Sequence, residues 1–197
     1  MTTAPLSQPD GDADAREDAA EAGASRGPSE STLVVVRAAR GGDRAALESL
    51  YLEFGATVHG LLLARVSAAE ADDLVQEVFV KVLHALPSLR DERAFPAWLA
   101  QLTRRMAVDH LRRRRPTEEL DETTAGTVDP DGLEADEVLA VIRGLPEAHV
   151  EPLMLRLVEG LTGPEIAERT GLTHGSVRVN LHRGMKLLRE RLTGETS

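Results

Sequence analysis

Residues 162–191 restrict what this chain can fold into more than any other stretch. Thr162-Gly163-Pro164-Glu165 sets a hydroxyl and a carboxylate three residues apart, so that each side chain satisfies the other residue's backbone N–H at a helix start. Pro164 falls in the first turn, where its missing N–H is harmless. Ile166 and Ala167 come next, and the small side chain lets a second helix cross closely. Gly171, four residues after Ala167, stands where a tight turn needs a positive φ. Val177, six residues further on, supplies an apolar pin between the two helices. Alanine, turn glycine and pin at these offsets describe a helix-turn-helix.

The rest of the chain is also helical in pattern. Aromatics are only 3% of the residues, and Leu, Ala and Val dominate the apolar set, which favours helices over sheets. The helical pattern runs from Thr32 to Arg115. Gly41-Gly42 interrupts it, Asp43 is placed to cap a helix running towards Arg65, and Ser67 with Glu70 forms a second capping box. Leu74, Val75, Val78, Phe79, Val82 and Leu86 recur at three- and four-residue spacings as one apolar stripe, which Pro87 ends. Phe95-Pro96 opens a further helix, with Trp98, Leu99, Leu102, Met106 and Leu111 expected inward and the arginines outward; Pro116 stops it. A second helical block spans about residues 133–192, with breaks at Gly144, Gly160 and Gly171. The expected fold is all-α: two small helical domains, 32–115 with four helices and 135–193 carrying the helix-turn-helix. A flexible acidic linker at 116–134 joins them, and an acidic tail without periodicity occupies 1–31.

The net charge of −10 hides a strong asymmetry. Residues 1–32 carry −5 and residues 116–137 carry −9, so the remainder is +4, and it is the distribution that decides what a surface attracts. No cysteine is present, which excludes disulfides and thiolate metal sites. No apolar run approaches the ~18 residues of a membrane span, and the N-terminus lacks a basic-then-apolar signal pattern. A soluble, cytoplasmic protein without membrane insertion is expected.

Three faces carry candidate chemistry. The second helix of the helix-turn-helix presents Arg178, Asn180, His182, Arg183 and Lys186, with Thr173, His174 and Ser176 at its start. Arginine reads guanine and asparagine reads adenine in a bidentate fashion, while Lys and Arg hold phosphates. The N-terminal part of such a helix enters the major groove. The alternative is a solvated basic face on a core helix. The run QLTRRMAVDHLRRRR at 101–115 sets Arg104, Arg105, Arg112 and Arg113 around Asp109. It suits a polyanion, or else complements a helix C-terminus. The third face, in ADDLVQEVF, joins Asp73, Gln76 and Glu77 to an apolar ridge that includes Leu74, which suits protein docking; a merely solvated face is the alternative. A bundle di-metal site would need Glu-x-x-His on two helices, and no such pair occurs.

The segments DDLVQEVFVKVLHAL, FPAWLAQLTRRMAVDHLRRRR and LPEAHVEPLMLRLVEGLTGPEIAERTGLTHGSVRVNLHRGMKLLRERL, in this order, resemble the two domains of extracytoplasmic-function (ECF) sigma factors of the sigma-70 type. The likeness covers about residues 37–115 and 135–192. It implies a promoter-specificity subunit of RNA polymerase, with core RNA polymerase (its β′ clamp and β flap), promoter DNA and an anti-sigma factor as partners and no cofactor. It implies that Asp73, Leu74, Gln76 and Glu77 grip the β′ clamp. Residues 88–95 with Arg104, Arg105, Asp109, Arg112 and Arg113 would capture the opened minus-ten element, and Arg178, Val179, Asn180, His182 and Arg183 would read the minus-thirty-five element. The sequence departs from the family where Arg105 replaces a common Asn, Val179-Asn180 replace Ser-Arg, and Gly163-Pro164 replace an aromatic-acidic pair.

Two other classes compete with this one. A stand-alone dimeric helix-turn-helix regulator would need a sensing domain and a dimerisation helix upstream, where an arginine-rich helix stands instead. An enzyme would need a phosphate loop, nucleophile elbow or metal motif, and none is present.

Overall fold

The computed structural model describes residues 27–114 and 135–194. Most of the expected acidic tail, Arg115, Pro116 and the linker lie outside the described residues. Among the described residues there are eight α-helices, two short 3-10 turns and no strand. In the first half these are α1 (Glu30–Arg40), α2 (Arg44–Leu63), α3 (Ala68–Ala85) and α4 (Phe95–Arg114); in the second, α5 (Ala135–Arg143), α6 (Glu147–Leu157), α7 (Gly163–Thr170) and α8 (His174–Thr193).

Local chemistry sets the helix starts. Asp43 accepts from the N–H groups of Ala45 and Ala46 at 2.9 and 3.2 Å. Both capping boxes form: Glu70 accepts from the Ser67 N–H at 2.9 Å, and Glu165 from the Thr162 N–H at 2.8 Å. Helix α1 begins at Glu30, earlier than the expected Thr32, because Ser29 caps it by accepting from the Thr32 N–H at 3.1 Å. The tail therefore ends before residue 29. The expected inward row of α4 also needs one correction. Leu99 is buried and Trp98, Leu102 and Met106 pack against the core, but Leu111 is exposed, since among the described residues no helix covers the last turns of α4 on that side.

Helix α2 is the hub of the first half, packing on α1, α3 and α4, and α8 is the hub of the second. The feature absent from the sequence reading is how the two halves meet. Helix α6 lies on α2 and α7 lies on α4. A contiguous core runs from Val36, Phe54, Leu74 and Phe95 to Ile142, Leu153, Met154 and Leu188. A second apolar cluster joins Leu61 and Ala100 of the first half to Leu155, Leu161, Ile166, Ala167 and Val177 of the second. Leu61 and Leu155 are fully buried, and exposing each would cost about 1.5–3 kcal/mol. Close approach is possible because Gly60 lacks a side chain: a Cβ there would sit 2.8 Å from Leu155 Cδ2.

Candidate functional site

The helix-turn-helix forms as its residues dictate. Helix α7 ends at Gly171, whose φ of +76° lets its N–H return to the Ala167 carbonyl at 3.1 Å. Val177 is buried against Ile166 and Ala167 and sets the angle of α8. Thr173 caps α8 by accepting from the Ser176 N–H at 3.1 Å, and its hydroxyl lies 2.9 Å from the Ser176 hydroxyl. Those two residues therefore build the helix start.

With Val177, Gly184 and Leu188 buried, the outward face of α8 carries Val179, His182, Arg183 and Lys186. Val179 is 42% exposed and offers the apolar contact that suits a thymine methyl. His174 and Asn180 are half-buried, and Arg178 is exposed. At ~100° per residue, Arg178 and Asn180 stand about 200° apart round the helix, so they flank the outward face from opposite sides. Lys186 pairs with Glu190 at 3.7 Å.

Helix α4 divides its arginines between two faces. Arg105, Arg112 and Arg113 are exposed. Asp109 lies among them, 3.9 Å from Arg112, and its carbonyl accepts from Arg113 Nε at 3.2 Å. Arg104 points the other way, against the expectation that it faces solvent. It donates from Nε and a terminal nitrogen to both carboxylate oxygens of Glu151 on α6, at 2.7–3.0 Å. Arg65, just after α2, donates to the same carboxylate at 2.6 Å. The Glu151 side chain is only 12% exposed. Burial pushes its carboxyl up, but the hydrogen bonds and charges of Arg104 and Arg65 outweigh burial and hold it below the usual carboxylate range.

The loop at 88–95 is fixed to α1. Arg37 and Arg40 both pair with Glu92 at 2.9 Å, and the Arg37 hydrogen bond leads in holding the Glu92 carboxyl low. On α3, Asp73, Gln76 and Glu77 are exposed and line a shallow depression with Val80, Lys81, His84 and Met106. Leu74 is 2% exposed and belongs to the core beneath this face. Among the described residues no three His, Cys, Asp or Glu side chains converge on a point; His110 instead lies 3.0 Å from Glu70. No helix among them is long and apolar enough to cross a membrane.

The sequence reading missed Arg65, Glu92 and Glu151. Glu151 left one visible trace, a lone acid amid Val150, Leu153, Met154 and Leu155, since an acid in an apolar stripe needs a partner.

Two family models match this chain. A family model of sigma-70 region 2 matches residues 50–117, and one of sigma-70 region 4 matches residues 135–188. The ECF RNA polymerase sigma factor SigD of Mycobacterium tuberculosis strain H37Rv is 34% identical over 174 residues, covering 80% of this chain and 82% of SigD. The ECF RNA polymerase sigma-E factor of Haemophilus influenzae is 30% identical over 169 residues, covering 77% and 89%. Among solved structures, CnrH in complex with the cytosolic domain of CnrY superposes with a TM-score of 0.60 at 24% identity, covering 85% of this chain and all of CnrH. The sigma factor RpoE bound to the anti-sigma factor NepR, from Bartonella quintana, gives 0.52 at 18% identity, covering 76% and 97%. Both share the fold.

Proposed function

The chain belongs to the ECF sigma factors of the sigma-70 type, and we propose that it binds core RNA polymerase and starts transcription at promoters chosen by two DNA-contacting faces. The observation that carries this is the pairing, in one chain, of an acidic exposed face on α3 with a formed helix-turn-helix on α7 and α8. On this reading residues 32–115 hold the polymerase and the minus-ten element, and residues 135–193 hold the minus-thirty-five element. Asp73, Gln76 and Glu77 supply the docking charge to the β′ clamp. Arg105, Arg112 and Arg113 hold DNA phosphates or flipped bases around Asp109, with Arg104 joining them when it leaves Glu151. Val179, His182, Arg183 and Lys186 enter the major groove, flanked by Arg178.

Each contact set is small, and linking two sets through one polymerase multiplies their effect by effective concentration. Nothing in this scheme breaks or forms a covalent bond in the sigma chain itself; the polymerase does the chemistry. The protein works where polymerase and promoter are, in the cytoplasm. The complex of the sigma factor RpoE with the anti-sigma factor NepR supports an anti-sigma factor as a further partner here.

The test mixes the purified chain with bacterial core polymerase on fragmented genomic DNA and sequences the transcripts. Discrete starts that share two upstream motifs are expected. Failure of core to bind, with the chain alone shifting a palindromic duplex, would replace this reading with the dimeric regulator.

A further inference from the structure

Residues 88–95 connect α3 to α4 and are buried only towards their ends. Leu89 is 9% exposed, and Phe95 is fully buried with its ring edge-on to Phe54 at 5.2 Å. Between them Arg90, Asp91 and Arg93 are exposed, Arg93 lying 3.8 Å from the exposed Glu30. Glu92 turns the other way. It meets two arginines of α1 that precede it by 55 and 52 positions.

Arg37 donates from Nε at 3.4 Å and from a terminal nitrogen at 2.9 Å, one bond to each carboxylate oxygen, and Arg40 adds a third at 2.9 Å. A fork on both oxygens fixes a carboxylate in direction as well as in distance. Arg37 and Arg40 stand three positions apart on a helix, so they share the face that receives it. The backbone is set at the same point. Asp91 accepts from the Arg93 N–H at 2.9 Å and opens the 3-10 turn Glu92–Ala94, in which the Ala94 N–H donates to the Asp91 carbonyl at 3.1 Å. With Arg37 68% exposed, the pair adds little to global stability. Its effect is local: it ties the middle of a loop that is otherwise held at its ends, where few contacts decide the conformation.

We propose that Glu92 is a positioning residue for minus-ten selection: held by Arg37 and Arg40, it fixes the loop so that the outward side chains of Arg90 and Arg93 meet an unpaired base at a set distance and angle. This rests on the reading that residues 88–95 meet the opened minus-ten element. On it, α1 takes part in promoter choice without touching DNA. A held loop rejects the wrong base because its donors cannot follow it, whereas a loose loop adapts to several bases. Loosening the tie therefore lowers discrimination more than affinity.

The test uses the full chain with core polymerase, on one promoter found by the transcript sequencing above and on copies with single-base changes in either element. Four proteins are compared: wild type, Glu92→Gln, Arg37→Gln with Arg40→Gln, and the triple variant. Preference among minus-ten bases is expected to narrow by about 5-fold, the order of one ion pair, in Glu92→Gln and in the double variant alike. The triple variant should fall no further, because all three remove the same tie. Preference among minus-thirty-five bases should stay as in the wild type, and amide exchange of residues 89–95 in the free chains should quicken in all three variants. Unchanged minus-ten preference in Glu92→Gln overturns the proposal, and so does an equal loss at both elements, which marks a general defect. A further loss in the triple variant puts Arg37 and Arg40 on the DNA and overturns their action through Glu92. Unchanged exchange overturns the tie whatever transcription shows. A wild-type chain that starts no promoter-specific transcripts with core overturns the sigma reading and the promoter role with it, while the exchange rates still judge the tie.

Discussion

Replacing Gly171 by alanine tests the turn and the packing of the halves in one experiment. Two costs are separable. At φ +76° an L-residue is in the left-handed region, which costs about 1–2 kcal/mol. The added Cβ would also stand 2.8 Å from Ala97 Cβ and 3.6 Å from Ala97 Cα on α4, where carbon pairs prefer about 3.5–4.0 Å. Neither group can swing away, because both β-carbons are fixed to backbone, so α7 and α4 must shift. Overpacking of this kind costs about 1–3 kcal/mol. Gly171→Ala is therefore expected to lose about 2–5 kcal/mol in all. The measurement is guanidinium unfolding of four proteins: wild type, Gly171→Ala, Ala97→Gly and the double variant. Ala97→Gly alone costs about 0.5–1 kcal/mol through helix propensity, and that cancels in the cycle. In the Ala97→Gly background the Gly171→Ala loss should shrink to the backbone cost alone. An equal loss in both backgrounds would refute the contact between the turn and α4. A loss below about 0.5 kcal/mol would refute the argument from backbone conformation.

Four further outcomes are expected. Glu77→Lys inverts the exposed charge on α3 and should abolish co-purification with core polymerase while leaving helicity and melting unchanged; retained binding would remove Glu77 from the docking face. Arg178→Ala should lose about 1–3 kcal/mol of promoter discrimination, whereas Asn180→Ala, on the opposite flank, should not weaken discrimination at the same base step, as read by competition across single-base promoter variants. The hydrogen bond to Glu159 leads in raising the His59 pKa, against burial and helped by Asp72. His59 therefore supports the fold fully below its ordinary value of ~6.5 and loses that support as pH rises through the raised value. The melting temperature of the full chain should fall over that window, and His59→Gln should flatten the profile. Glu92 is held low chiefly by Arg37, so its anchor on α1 persists above the ordinary carboxylate range and fails as pH falls through the depressed value; Glu92→Gln should speed amide exchange in residues 89–95 at neutral pH.

The features legible along the chain are those that short-range geometry carries. Ser67 with Glu70, Thr162 with Glu165 and Asp43 start helices because a side chain reaches a backbone N–H two or three residues away, and no distant group is needed. Gly171 ends α7 through its own left-handed backbone, which returns its N–H to the Ala167 carbonyl, and Leu74, Val78 and Val82 share a face because the helix repeats every 3.6 residues. The exposed acids of α3 were legible from that period, as were the outward basic positions of α8. Packing between distant segments set the rest. Pro152 stands inside α6 although it removes a helical hydrogen bond, because that helix is held by burial on both flanks. Leu111 is exposed although its spacing matched the inward row. Arg104 turns from solvent to Glu151, 47 positions away, and Arg169 reaches Glu53, 116 positions away. Such pairs depend on which faces meet when distant segments dock, and no periodicity along the chain encodes that choice.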